Sequence, residues 1–231
     1  MPSERAPLVL GADGCKGGAW VVSVVDGEGG LSWEWAADTE ALLALVEELA
    51  AGVLALDVPI GLPLLGGVRP ADALARGRVG ARRSSVFAAP PREVLSCATY
   101  AQARPLAPSL SAQAFGLVPR IREVDTLLRA HGPQVHERVV ECHPEVAFAA
   151  LAADRLALAT KKSAAGALQR LALLPEAFDQ DVPSDVPPGA ALDDALDAVA
   201  CAAVAVRWAR GEAEVLGGEP DAEGLPLRIV T

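Results

Sequence analysis

The chain has 231 residues, 52% of them hydrophobic but only 4% aromatic, and a formal net charge of −10. That supplies core material for one large domain or two small ones, with Ala, Leu and Val filling the interior in place of rings. So acidic a chain argues against broad, non-specific binding of nucleic acid, which needs a basic surface.

In chain order, Leu8 to Ala12 is a short apolar run ending in Asp13 and Gly14, and Ala19 to Val25 is a second, closed by the glycine-rich stretch 26–30. Leu31 to Trp35 follows. The pattern predicts three strands joined by tight turns, because glycine supplies the positive φ such turns need. Asp38 and Thr39 then cap a helix with apolar positions at Leu42, Leu43, Leu45, Val46 and Leu49, and Gly52 ends it. Val53 to Leu56 reads as a fourth strand, finishing at Asp57.

The middle is less regular. Pro59, Pro63 and Pro70 interrupt the chain, Ala71 to Arg78 predicts a short helix, and 84–91 reads as loop. Helical spacing runs from Ser111 to Ala130 through Phe115, Val118, Ile121, Val124 and Leu127. Glu137 to Cys142 predicts a fifth strand, with a helix starting at Glu145. Lys161, Lys162 and Ser163 open another helix through Leu168, Leu171 and Leu174. The proline-rich acidic segment from Phe178 to Gly189 is the expected mobile loop. Ala190 to Arg210 reads as a long apolar final helix, 211–223 as polar and flexible, and Leu225 to Val230 as a terminal strand. The expectation is a single domain over 1–231, with an irregular basic insertion around 63–136.

Cys15, Cys97, Cys142 and Cys201 lack paired metal-ligand spacing and predict reduced, mostly buried thiols in a cytoplasmic protein. The most apolar stretch, Ala198 to Val206, is too short to span a bilayer, and no signal peptide precedes the first strand, so no membrane role is expected.

The chemistry concentrates in carboxylates. Asp13 and Asp57 end two strands, Glu141 ends a third, and Asp194 and Asp197 share one face of the last helix. Each alone also suits a turn former, a strand end or a helix-dipole partner. Asp197 carries most weight, since an acid at the head of an almost wholly apolar helix needs a partner. Acids crowded together repel unless a cation lies between them, and Mg2+ or Mn2+ prefers oxygen ligands. A second signal is opposite in sign. From Arg69 to Arg92 six arginines face one acid, Asp72, a local charge of +5 on an acidic chain.

Seven segments occur in order: 11–18 (GADGCKGG), 57–63 (DVPIGLP), 82–87 (RRSSVF) with Pro90 and Arg92, 123–125 (EVD), 141–145 (ECHPE), 161–163 (KKS) and 194–198 (DALDA). Together they resemble a family of predicted nucleases with an RNase H-like fold, catalogued as domain of unknown function 429. The resemblance covers nearly the whole chain. It implies an α/β, RNase H-like fold, a five-stranded mixed sheet whose second strand is antiparallel, with flanking helices. In the wider superfamily a first-strand acid, a fourth-strand acid and a final-helix acid hold divalent metal. Those roles fall here to Asp13, Asp57 and Asp197, with Asp194 one turn earlier and Glu141 as an additional acid.

The resulting expectation is a metal-dependent nuclease or phosphodiester hydrolase. Asp13, Asp57, Glu141 and Asp197 would be the metal ligands and, with Asp194, the catalytic acids. Arg83, Ser84, Ser85 and Arg92 would hold phosphate, assisted by Lys16 and Lys161. The partner is nucleic acid or another phosphate ester. Two rivals stand beside it. The glycine turn at Asp13 also resembles the phosphate hairpin of actin-like ATPases, which need two such domains, and no second copy is present. A non-catalytic module binding a phosphorylated ligand or a protein partner suits the net charge of −10 better than a general nuclease does.

Overall fold

Alternating apolar strands with turn glycines between them, followed by an amphipathic helix, give the sheet that carries the acids. The computed structural model describes residues 6–153, 158–178 and 180–231. Strands β1 (Val9–Gly14), β2 (Trp20–Val25) and β3 (Leu31–Ala36) form a meander, followed by α1 (Thr39–Glu48) and β4 (Val53–Leu56). Helices α2 (Pro70–Val79), α3 (Tyr100–Leu106), α4 (Ala112–Phe115), α5 (Val118–His131) and α6 (Pro133–Arg138) fill the middle of the chain. Then come β5 (Val139–Glu141), α7 (Pro144–Ala152), α8 (Ala164–Leu173), α9 (Pro175–Phe178), α10 (Leu192–Ala209), β6 (Val215–Pro220) and β7 (Pro226–Val230).

The described residues form two compact units. The first holds residues up to Asp57, Arg138–Glu214 and Val230–Thr231. Its five-stranded mixed sheet has the order β3-β2-β1-β4-β5, with β2 antiparallel to both neighbours and β1, β4 and β5 parallel. Helix α10 lies across β1, β2 and β4. Its alanines make it thin, and Gly11 lets it come close: a Cβ there would lie 2.0 Å from the Ala202 nitrogen and 2.3 Å from the Ala198 oxygen. The core is aliphatic apart from Phe148 and Trp20, whose indole N–H reaches the Thr39 hydroxyl at 3.3 Å. Asp38 caps α1, its carboxylate accepting the Ala41 N–H at 2.8 Å. Among the described residues, no helix is long and apolar enough to cross a membrane.

The second unit comprises Val58–Glu137 and Val215–Ile229, and the basic stretch expected as an insertion around 63–136 falls within it. Its hub is an ionic network. One terminal nitrogen of Arg92 donates to both oxygens of Asp125, at 2.7 and 2.9 Å, and the other donates to Asp221. Asp125 also accepts from Arg129 at 3.0 Å.

Several elements differ from expectation. The helix predicted over 111–130 is two helices. Gly116 and Leu117 break it, and Pro119, which has no N–H to give, opens the second. The fifth strand starts at Val139 because Pro133 opens a helix just before it. The stretch 80–85, which overlaps the predicted loop at Ser84 and Ser85, is a 3₁₀ turn. Residues expected to be flexible over 211–223 contain β6, which pairs with β7. Gly217 passes so close to the Leu227 carbonyl that a Cβ would stand 2.4 Å away. The acidic loop after α9 is irregular as expected, but it is anchored: Trp33 donates to the Pro183 carbonyl at 3.1 Å, and the Gln180 amide reaches the Gly29 carbonyl. Asp179 in that loop lies outside the described residues.

Candidate functional site

The register of two parallel strands creates the site. Ala12 pairs with Leu56, so Asp13 and Asp57 come next, side by side, and the Asp57 N–H donates to the Ala12 carbonyl at 3.2 Å. Adjacent strands run about 4.8 Å apart, so the two carboxylates feel each other directly. Glu141 pairs with Leu56 from the other side and is buried at the end of β5. Helix α10 brings Asp194 and Asp197 to the same end of the sheet. Asp13 is 8% exposed and Asp197 only 2%.

The electrostatics are those of an under-compensated cluster. Burial pushes the Asp13 carboxyl well above its ordinary value, Asp57 and Asp197 push it further, and Lys161 opposes them. Burial likewise takes Asp197 up to about 7 against the pull of Lys161, with Asp57 and Glu145 adding to the rise. The positive charge inside the cluster is Lys161, whose ammonium donates to Asp197 Oδ2 at 2.5 Å. Burial would lower the Lys161 pKa, but Asp197, Asp13 and Asp57 together raise it, so it stays charged. Among the described residues, no three His, Cys, Asp or Glu side chains stand close enough to hold one metal ion.

The neighbouring thiols are silent. Burial, then Asp194, pushes Cys15 up to about 11, so it stays protonated beside the acids. Cys142 and Cys201 are fully buried, hydrogen-bonded to each other and also raised, first by burial. All four cysteines are buried thiols outside any disulfide, as the sequence suggests.

The structure thus brings together Asp13, Asp57, Asp194, Asp197 and Lys161. Asp194 also closes the start of α10, accepting the Ala191 N–H at 3.4 Å. Glu145 plays a different part. It is locked to buried Arg170 through both oxygens, at 2.8 and 2.9 Å, and that guanidinium lies over the Phe148 ring. Lys16 is exposed at the glycine turn between β1 and β2, where Gly17 and Gly18 have φ of 80° and 94°. Arg83, Ser84, Ser85 and Arg92 belong to the second unit, where Arg92 is held by Asp125 and Asp221. The sequence reading missed Lys161 as the counter-ion of Asp197. The only local signal was a pair of lysines just before a helix cap, which suits a solvated turn equally well.

A mixed α/β sheet with acids at its strand ends and two acids of one helix facing them defines the class. The chain belongs to the family described as a protein of unknown function, DUF429, whose model matches residues 11–222. No curated protein and no solved structure matches it.

Proposed function

We propose that this protein is a divalent-metal-dependent phosphodiester hydrolase on an RNase H-like fold. The sheet order β3-β2-β1-β4-β5 with an antiparallel β2 supports the fold assignment. The carrying observation is the pair Asp13 and Asp197, two nearly inaccessible carboxylates whose pKa values are held up by burial and by Asp57, with a single lysine among them. A fold does not hold such charges together for stability, since burial of like charge costs free energy, so the arrangement points to function.

Every side-chain donor in the cluster other than Lys161 is a carboxylate oxygen, and the nearby thiols stay protonated, so on donor chemistry the residues fit magnesium or manganese. Asp13, Asp57, Glu141 and Asp197 are the residues that would hold the ion; no three of them stand close enough to share one as placed, so their side chains would have to turn inward on binding, and the ion would supply Lewis-acid stabilisation of the charge developing on a phosphoryl oxygen. Asp13 is placed by strand hydrogen bonding rather than by a flexible loop, which fixes its carboxylate before substrate arrives. Lys161 orients Asp197 and offsets negative charge that would otherwise repel a phosphate. Lys16, exposed beside Asp13 on the tight turn, is free to meet a substrate phosphate as a point charge.

The test is cleavage of single-stranded, duplex and branched DNA and RNA with magnesium or manganese. Metal-dependent cleavage that is lost in Asp13→Asn is the expected result. Folded wild-type protein that cleaves none of these substrates with either metal overturns the reading.

A further inference from the structure

The second unit carries a cavity of about 310 Å³ to which the acid cluster gives no role. That volume is at the lower end of small-molecule sites, which run from about 300 Å³ upward. Phe87, left 37% exposed, and Leu110 give it apolar walls. Arg76, Arg83, Ser84 and Ser111 also line it.

The charges here are uncompensated. Arg69, Arg92, Arg129, Arg138 and Arg170 are each in an ion pair. Among the described residues, neither Arg76 nor Arg83 is in one. The one acid between Arg69 and Arg92, Asp72, is already spent on Arg69 at 2.5 Å and on the Ala89 N–H at 2.9 Å. Arg76 is nevertheless oriented, its Nε–H donating to the Val86 carbonyl at 3.0 Å. The Ser111 oxygen accepts the Ala114 N–H at 3.0 Å, which leaves its own O–H to donate. Arg76 is half-buried and Arg83 exposed at the cavity, so both guanidinium groups are open to an acceptor arriving from solvent.

We propose that this cavity binds a small organic phosphate: a phosphomonoester dianion, met by Arg76 and Arg83, carried on a flat apolar body that packs on Phe87 and Leu110. Two guanidinium forks match the oxygens of a dianion better than a monoanion. The apolar walls favour an organic ester over the free ion. On a chain of net charge −10, Arg76 and Arg83 are the charges that admit an anion here, since Arg92 is already held by Asp125 and Asp221. The proposal stands whether or not the acid cluster hydrolyses anything.

The test is calorimetric titration of the full chain in EDTA with phenyl phosphate, inorganic phosphate and benzyl alcohol. Phenyl phosphate should bind about tenfold or more tighter than either of the others. Arg83→Gln should weaken it about tenfold with an unchanged melting temperature, and Arg76→Gln should act in the same direction. The proposal fails if phenyl phosphate gives no saturable heat. It also fails if either simpler probe binds equally well, since one face of the site is then idle. Unchanged binding in a folded Arg83→Gln protein fails it too. The comparison of the three probes on the wild-type chain needs no variant, so a poorly folding substitution leaves the proposal testable.

Discussion

Asp13 and Asp221 are both carboxylates withdrawn from water, and burial ends in opposite results at the two. At Asp221, burial pushes the pKa up, but the Leu62 N–H, the Arg92 guanidinium and the N–H groups of Leu225 and Glu223 outweigh it, so the pKa is lowered. At Asp13, burial is joined by Asp57 and Asp197, and Lys161 alone opposes them, so the pKa is raised. One carboxylate is satisfied and holds the second unit together. The other is left wanting a cation at the end of a sheet. Buried acids therefore differ in meaning according to what surrounds them, and that difference separates scaffold from site.

Four experiments would break or sharpen this contrast. The largest effect belongs to neither acid. Gly11→Ala should cost about 4 kcal/mol or more in urea unfolding, because the new methyl group meets the α10 backbone at 2.0 Å, and backbone has no rotamer to retreat into. If that substitution is silent, helix and strand do not set the acid spacing. Next, Arg92→Ala should cost about 3–5 kcal/mol, since it leaves Asp221, 1% exposed, without its cation and Asp125, 4% exposed, with Arg129 alone. A loss under about 1 kcal/mol would place that pair with ordinary surface bridges.

Asp13→Asn should do the reverse. It removes repulsion, so the metal-free protein should gain about 1 kcal/mol while the proposed metal-dependent cleavage should fall about 100-fold or more. A variant that loses both stability and activity would mark Asp13 as scaffold. The smallest effect is in the pH dependence of the melting temperature, measured in EDTA. Asp13 titrates above its ordinary 3.8 when folded, so it favours the folded state at low pH and this contribution is lost as pH rises past that value. Asp221 titrates below 3.8 when folded, so its contribution is present above that value and is lost as pH falls through the lowered pKa. Asp13→Asn should flatten the decline on the neutral side, and Asp221→Asn the collapse on the acid side. Indistinguishable profiles would erase the contrast.

What the sequence disclosed follows from distance along the chain. Strands β1 to β4 and the apolar α10 announce themselves in local periodicity, and Asp13, Asp57 and Asp197 stand out because each interrupts or ends an apolar run. The bond from Lys161 to Asp197 spans 36 positions and leaves no local trace. Asp221 spans 129 positions to Arg92 and lies in a polar stretch whose composition reads as flexible. Its order comes from three backbone N–H groups and a distant guanidinium, none visible in composition. The division of 111–130 into two helices was missed for the opposite reason: the apolar spacing runs on through the break, and periodicity does not register Gly116 and Pro119.

The absent side chain at position 11 has a consequence for the acid cluster. Because main chain rests on main chain there, the spacing between the strand that carries Asp13 and the helix that carries Asp197 is set by backbone contact and not by side-chain packing. Movement within the cluster is left to its side chains, among them the lysine that reaches in from the segment ahead of α8.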